Sequence, residues 1–264
     1  MTYLEETRQA ITPKKIRHEL DCLTTVSLNV NDYCNKSCSY CPHGQGYKPA
    51  INSIMSIETA KKIRDRLHEL KDKNVTPRIT VSGMGEPFLN PNLKEILSIL
   101  QEFCPTVLTN GSIHPDWAKN LPVVVSVHNK KEEAVLRATW PNAKFRNHDY
   151  KSPECELHVT NRNDYQETGE KYSGKCYCPF YKLVIDYDGS YLKCAEDWKR
   201  KSKVSGYNVY HKSIEEWFCD HLAMLKETMV KYGREKEPTC QHCNIEGIII
   251  GEEMYNWYAK YRKS

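Results

Sequence analysis

The sequence contains no apolar run that approaches the ~18 residues of a membrane-spanning helix, and it contains no internal repeat or low-complexity segment. Residues 1–15 are polar and charged, and they include no apolar stretch of the signal-peptide type. We therefore expect a soluble chain without a membrane partner. The missing signal also predicts a cytoplasmic, reducing environment.

A strong excess of either charge is missing as well. The chain has 38 Lys and Arg residues against 34 Asp and Glu residues, for a formal net charge of +4. This balance is not typical of a nucleic-acid-binding protein, and we expect no such partner. Residues 199–203 form the densest basic run, which most simply predicts a solvated loop.

Cysteine, in contrast, is abundant, with 12 residues in a chain of 264. In a reducing compartment this number favours metal ligation over disulfide bonds. The length suffices for one large core or for one domain with a small appendage, and the change in texture after residue 168 favours the second arrangement.

Three cysteines follow a strand-like run in the pattern CxxxCxxC, at Cys34, Cys38 and Cys41. Electron-carrying cubane iron–sulfur clusters are usually held by four cysteines, so three thiolates would leave one iron open to another ligand. A zinc site or unrelated thiols remain the alternatives at this point.

Strand and helix patterns alternate through the first part of the chain. Val26, Leu28 and Val30 alternate on one face, Ser56 can cap a helix, and Asn90 with Pro91 can begin another. A further helical stretch is predicted near residues 130–138. Six strands are predicted, at residues 24–31, 78–81, 106–108, 123–125, 144–146 and 157–159.

Such alternation predicts parallel strand pairing with crossover connections. We expect an α/β fold, in which residues 24–168 form a partial (β/α)6 TIM-like barrel preceded by an extension of residues 1–23. Sites in these barrels lie at the carboxyl ends of the strands. Glu86, Asn110, His128 and Arg162 each follow a predicted strand and should share this rim with the cysteine loop.

A second cysteine set lies in residues 169–264, where we predict a small C-terminal domain with a β-hairpin and a helix. The turn at Asp188 and Gly189 is a strong hairpin signal. Ser213 and Glu216 can form a capping box for the following helix. Four thiols are available as ligands, and Cys178 is an alternative to the first of them: Cys176, Cys194, Cys240 and Cys243. Spacing alone leaves zinc and iron–sulfur ligation equally open.

The cysteine triplet resembles that of the radical S-adenosylmethionine (SAM) superfamily, and residues 83–87, Gly-Met-Gly-Glu-Pro, resemble its GGEP element. The resemblance implies a [4Fe-4S] cluster whose open iron binds SAM. It also implies SAM contacts from seven residues: Tyr40, Gly83, Gly85, Glu86, Pro87, Asn110 and His128. The second set resembles a shortened SPASM or Twitch domain, which implies an auxiliary [4Fe-4S] cluster.

The overall pattern is similar to superfamily members that oxidise the secondary alcohol of a cyclitol to a ketone. This implies a small-molecule substrate, an external one-electron reductant such as flavodoxin or ferredoxin, and a substrate contact from Arg162. A guanidinium pKa above ~12 makes positioning a better role for Arg162 than proton acceptance. Glu196 is a weaker candidate for substrate contact.

Three alternatives remain open from the sequence. A radical epimerase would need a hydrogen donor, such as the thiol of Cys178. A peptide-modifying SPASM enzyme commonly carries a leader-binding domain, for which the ~22 residues before the first strand are too few. A non-catalytic iron–sulfur or zinc-binding module is the third.

Overall fold

A computed structural model describes residues 15–148, 171–238, 240–243 and 251–261. Its central feature is a seven-stranded sheet in the order β5-β4-β3-β2-β1-β6-β7. Within these ranges no helix combines the length and the apolar character needed to cross a membrane. The strands are β1 (Thr25–Asn29), β2 (Arg78–Ser82), β3 (Thr106–Thr109), β4 (Val123–Val127), β5 (Lys144–Asn147), β6 (Lys182–Ile185) and β7 (Tyr191–Leu192).

Strands β1 to β5 pair in parallel, as predicted, so their carboxyl ends meet at one edge of the sheet. The predicted strand at residues 157–159 and the predicted site residue Arg162 lie outside the described residues. The fold is therefore a mixed α/β structure with a mainly parallel sheet.

The predicted hairpin forms, with β6 antiparallel to β7 and a turn at Gly189. However, β6 also pairs in parallel with β1, with Lys182 opposite Thr25. The hairpin thus extends the main sheet, which the sequence did not predict. The reason is visible in β6 itself, because its residues from Leu183 to Ile185 are all buried, as expected for a strand covered on both faces.

Six α-helices are described, and the larger ones cover the sheet and the C-terminal region. They are α1 (Ile57–Asp72), α2 (Leu93–Ile99), α3 (Glu133–Thr139), α4 (Cys178–Tyr181), α5 (Ala223–Tyr232) and α6 (Glu252–Tyr261). Helix α1 begins as predicted, since the Thr59 N–H donates to Ser56 Oγ at 3.0 Å. Its apolar residues, among them Ile63 and Leu67, are buried.

Helix α2 begins two residues later than predicted, since Asn92 precedes the first helical residue. Asn90 still accepts a hydrogen bond from the Asn92 N–H through Oδ1 at 2.8 Å, as a capping side chain does. Asn90 is also buried, and its side-chain amide donates to the Val30 carbonyl at 2.8 Å. It therefore ties the loop after β2 to the end of β1, a long-range role that its local sequence does not reveal.

The C-terminal capping box is confirmed, because the Ser213 N–H donates to the Glu216 carboxylate at 2.8 Å and the Glu216 N–H donates to Ser213 Oγ at 3.1 Å. The helix begins with a π-helical segment, Glu216–His221, and continues as α5. Helix α6 packs by aromatic edges, with the Phe180 ring centroid 4.9 Å from that of Tyr255.

Candidate active site

The loop after β1 carries Cys34, Cys38 and Cys41, and all three line one cleft at the carboxyl edge of the sheet. They are partly exposed there. The loop is tightly wound, since the Cys41 N–H donates to the Cys38 carbonyl at 2.9 Å. A side chain at Gly44 would place a Cβ 2.2 Å from the same carbonyl oxygen, so only glycine fits.

Three thiols that open on one cleft fit a cubane cluster with one open iron. No fourth cysteine appears among the described residues that line this cleft. Burial raises the pKa of the Cys34 thiol, and the Lys36 N–H, which donates to Cys34 Sγ at 3.4 Å, partly offsets the effect. Metal binding would favour the thiolate form.

The glycine-rich loop after β2 is pressed against the cysteine loop. A Cβ on Gly83 would lie 2.0 Å from Asn29 Oδ1, and one on Gly85 would lie 2.4 Å from the Tyr33 carbonyl oxygen. The Met84 N–H donates to Asn29 Oδ1 at 3.0 Å, and His43 Nε2 lies 2.7 Å from the Met84 carbonyl oxygen. The two glycines therefore permit the close contact between the two loops.

Glu86 is almost completely buried, and its carboxylate is engaged by protein donors. It accepts hydrogen bonds from Thr109 Oγ1 at 2.6 Å, the Asn110 N–H at 2.8 Å and the Phe88 N–H at 3.3 Å. Burial raises the pKa of this carboxyl group, and the three donors lower it in part. Its carboxylate fixes the glycine-rich loop to the end of β3.

Asn110 links the end of β3 to the cysteine loop. Its amide nitrogen lies 3.0 Å from Asn35 Oδ1 and 3.9 Å from Cys34 Sγ. Its amide oxygen accepts from Ser112 Oγ at 2.6 Å. Asn110 is therefore placed to orient the segment that carries the first cysteine.

Tyr40 and His128 contact each other in the lining of the cleft. The Tyr40 hydroxyl contacts His128 Nδ1, and the two rings are stacked with centroids 6.0 Å apart. His148 packs edge-on against His128 at 5.7 Å. Aromatic faces from the cysteine loop and from the end of β4 thus form one wall.

The cleft encloses about 1000 Å³, counting its open mouth. It brings together nine residues predicted from the sequence: Cys34, Cys38, Tyr40, Cys41, Gly83, Gly85, Glu86, Asn110 and His128. Glu196 also lines it, beside Ala195 and Trp198. Pro87 does not, because it is buried at the start of the 3₁₀ helix Pro87–Leu89.

The sequence did not indicate several basic residues of the cleft. Lys36, His43, Arg146, His148 and Lys182 all line it. Arg146 lies near the carboxyl end of β5, whereas Lys182 begins β6, and neither residue belongs to a motif.

The second cysteine set forms a separate, buried group. Cys176, Cys178, Cys240 and Cys243 are buried, and Cys194 is partly buried. The Cys178 thiol hydrogen-bonds to the Cys176 sulfur, which lowers the pKa of Cys176 and raises that of Cys178.

Two buried cations stand beside this group. Lys193 Nζ lies 3.3 Å from Cys240 Sγ, and the Arg234 guanidinium donates to the Cys243 carbonyl. Among the side chains that the structure describes, no three His, Cys, Asp or Glu residues converge as a single metal ion would require. A cubane cluster is several ångströms wide and needs no such convergence, so the donor set of four thiols fits it.

A buried ionic network that the sequence did not reveal joins the two cysteine regions. Arg200 donates to Asp186 Oδ2 from Nε and to Asp32 Oδ2 from Nη2, both at 2.6 Å. The Tyr47 hydroxyl donates to the same Asp32 oxygen at 2.8 Å. Burial lowers the pKa of Arg200, but the two carboxylates outweigh this and raise it.

The network also shapes the wall of the cleft. Trp198 packs edge-on against Tyr47 and His43, with ring centroids 5.2 and 5.7 Å away. Asp32 and Tyr47 belong to the cysteine-loop region, whereas Trp198 and Arg200 follow Cys194. The segment after Cys194 is thereby held in the lining of the cleft.

No protein-family model matches the chain. A curated relative, the S-adenosyl-L-methionine-dependent 2-deoxy-scyllo-inosamine dehydrogenase of Niallia circulans, is 24% identical over 250 residues, covering 88% of this chain and 96% of the relative. The crystal structure of BtrN in complex with AdoMet and 2-DOIA has a TM-score of 0.65 at 19% identity, covering 85% of this chain and 95% of that chain. The structure of anSMEcpe with bound AdoMet has a TM-score of 0.55 at 15% identity, covering 91% and 94%.

These proteins are radical SAM enzymes, and two of the structures hold AdoMet. The similarity extends over most of both chains. The resemblance to radical SAM enzymes that the sequence predicted is confirmed.

Proposed function

We propose that the protein is a radical SAM oxidoreductase that oxidises a secondary alcohol of a sugar-like or cyclitol substrate to a ketone. The observation that carries this proposal is the opening of three cysteines onto the cleft that the glycine-rich loop, Asn110 and His128 also line. The alcohol as the reacting group is taken from the relative's name and from the similarity over most of both chains.

In this proposal Cys34, Cys38 and Cys41 hold a [4Fe-4S] cluster, with SAM on its open iron. When bound, the pair supplies a 5'-deoxyadenosyl radical after reduction by a one-electron carrier such as flavodoxin or ferredoxin. Tyr40 lies in the wall beside the cysteines, where its ring can pack on the adenine base. His128 holds that ring by its contact with the hydroxyl.

The loop of Gly83 and Gly85 would present backbone groups to the SAM ammonium. Glu86 acts through position, because its carboxylate fixes this loop to β3 by three hydrogen bonds. Pro87 is buried behind the loop and starts its 3₁₀ helix. Asn110 orients the cysteine loop through Asn35.

The proposed function also assigns a role to each of two parts of the chain. Residues 24–168 would form the partial barrel, and residues 169–264 would hold an auxiliary [4Fe-4S] cluster through Cys176, Cys194, Cys240 and Cys243. The auxiliary cluster would supply an acceptor for one electron of the alcohol oxidation. Ala195 and Glu196 follow Cys194 and line the cleft, which supports a place for substrate near this side.

Two residues would contact the substrate. Glu196 is in the wall of the cleft and can accept a hydrogen bond from a substrate hydroxyl. Arg162 would orient the reacting hydroxyl and stabilise a developing oxyanion. The Arg162→Lys variant should have a lower turnover rate, because Lys cannot reproduce the planar guanidinium fork.

The test is an anaerobic assay of the reconstituted chain with SAM, dithionite and a panel of cyclitols and amino sugars. We expect 5'-deoxyadenosine and, with the right alcohol, an equal amount of ketone trapped by a carbonyl reagent. Cys38→Ala is the matched control and should form neither. Deuterium uptake from solvent without a ketone would instead identify an epimerase and overturn the oxidation.

A further inference from the structure

Lys193 is a buried lysine that the proposed chemistry does not yet use. It follows β7, and its side chain is 4% exposed. Its Nζ atom lies 3.3 Å from Cys240 Sγ, within hydrogen-bond distance of sulfur, and 3.7 Å from Glu237 Oε1. The backbone N–H of Lys193 donates to Ser202 Oγ at 3.0 Å, which fixes the backbone at this residue.

A buried ammonium is costly unless anionic groups surround it. Glu237 supplies a carboxylate at 3.7 Å, but that side chain is 21% exposed and is therefore partly screened by water. The buried carboxylate of Asp197 also acts on this lysine. Arg234 adds a second buried cation at the same cysteines through its contact with the Cys243 carbonyl. A cluster held by four thiolates carries net negative charge and would balance both cations.

The first cysteine region is arranged differently. Lys36 is close to Cys34 in the chain, but its Nζ atom forms an ion pair with Glu132 Oε2 at 2.8 Å. Its backbone N–H donates to Cys34 Sγ. At Cys34, a side-chain donor to the sulfur is the neutral amide of Asn110, at 3.9 Å. At Cys240, the donor is the charged ammonium of Lys193.

Hydrogen bonds to the sulfur ligands, net charge and solvent exposure set the potential of an iron–sulfur cluster. A positive charge at a ligand sulfur stabilises the reduced state, which carries one more negative charge. We propose that Lys193 raises the reduction potential of the auxiliary cluster through its charged hydrogen bond to Cys240. The inference rests on the proposed function, because it requires a cluster at the second cysteine set.

The experiment uses the full chain with Cys34, Cys38 and Cys41 changed to Ala, so that only the auxiliary cluster contributes to the spectrum. A redox titration followed by electron paramagnetic resonance (EPR) then compares Lys193 with Lys193→Met. We expect the ratio of reduced to oxidised cluster at a fixed potential to fall at least about tenfold, which is ~59 mV for a one-electron couple.

Two further variants separate charge from general damage. Lys193→Arg keeps the charge and should stay close to the parent. Lys201→Met removes the same charge from an exposed lysine eight residues further along and should also leave the potential unchanged. If Lys193→Met does not assemble the cluster, Lys193→Gln is titrated instead, with the same lowering expected because the charge is lost.

The two possible failures are distinguishable. A normal auxiliary spectrum with an unchanged potential in Lys193→Met or Lys193→Gln would overturn the role of Lys193 and leave the proposed function intact. The other failure concerns the cluster itself. If the unaltered chain binds about four irons and the chain without Cys34, Cys38 and Cys41 binds none, there is no auxiliary cluster, and the inference is refuted as well.

Discussion

The two cysteine regions use the same ligand type in opposite surroundings. Cys34, Cys38 and Cys41 are partly exposed and face a cleft of about 1000 Å³, whereas Cys176, Cys240 and Cys243 are buried among packed side chains. Metal sites that bind a substrate keep a position open, and sites without this task are closed. In the proposed function, the open region would hold the SAM-binding cluster and the closed region would hold the auxiliary cluster.

The side chains around the cysteines also differ between the two regions. The first region offers neutral amides and aromatic rings, such as Asn110 and Tyr40, beside partly exposed basic side chains such as Lys36 in the open cleft. The second offers buried cations, Lys193 and Arg234, which suit a negatively charged group that remains in place. Arg200 ties the two regions together through Asp32 and Asp186.

The largest expected effect follows from removing either set of ligands. Changing Cys34, Cys38 and Cys41 to Ala should lower the iron content from about eight to about four per chain and abolish 5'-deoxyadenosine formation. Changing Cys240 and Cys243 to Ala should lower the iron equally but leave some SAM cleavage. Iron analysis and chromatography of the nucleoside check both, and equal losses of SAM cleavage would erase the functional contrast.

The link between the regions should come next in size. Arg200→Met leaves the carboxylates of Asp32 and Asp186 buried without their cation, at a cost of about 3–5 kcal/mol in the free energy of unfolding. Arg64→Met is the matched control, because that arginine pairs with Asp65 on the surface, and it should cost under about 1 kcal/mol. Urea titrations compare the two, and similar midpoints would show that the network does not join the regions.

A smaller effect is expected where the glycine-rich loop meets the cysteine loop. Gly85→Ala introduces a Cβ 2.4 Å from the Tyr33 carbonyl oxygen and should cost about 1–3 kcal/mol. It should also weaken SAM binding, because the two loops must separate. Calorimetry with SAM measures the affinity.

Gly46→Ala, in the same cysteine loop, provides the comparison. It has no heavy atom within 4 Å of the added Cβ, although its φ of 91° strains the backbone. It should lower stability without a matching loss of SAM affinity. Equal affinity losses in both variants would mean that loop contact is not what Gly85 provides.

The smallest effect concerns the helix that covers the buried cysteines. Hydrogen bonds from Lys212 and Ser213 lower the pKa of Glu216 to about 2 from an ordinary value of 4.5. A lowered folded-state pKa means that the stabilisation is present above pH 4.5 and is lost as the pH falls toward 2.

Glu216→Gln should therefore lower the melting temperature slightly at pH 6, and the difference from the parent should shrink as the pH falls below 4.5. Thermal melts of the metal-free chain at several pH values check this. If the difference in melting temperature stayed constant over this pH range, the ionisation of Glu216 would not be linked to folding.

Much of the site was predictable because its signals are local. The CxxxCxxC spacing, the glycine-rich loop and the strand ends at Asn110 and His128 each depend on short stretches, and the parallel sheet brings them to one edge. The predicted start of α1 was likewise confirmed, because a cap at Ser56 acts within three residues.

The rest depends on contacts between distant parts of the chain. The pairing of β6 with β1 is one such contact. The bond from Asn90 to Val30 joins residues 60 positions apart, and the bond from Arg200 to Asp32 joins residues 168 positions apart. No local pattern encodes such partners. Lys193 is similar, since only the fold brings it to Cys240.

The contrast between an open and a closed cluster is tested most directly by EPR spectra of the two single-cluster proteins, recorded in the reduced state with and without SAM. SAM should shift the spectrum of the protein that keeps Cys34, Cys38 and Cys41 and lacks Cys240 and Cys243. It should leave the spectrum of the reverse variant unchanged. An unchanged spectrum in the first protein, or a SAM-dependent shift in the second, would contradict the account.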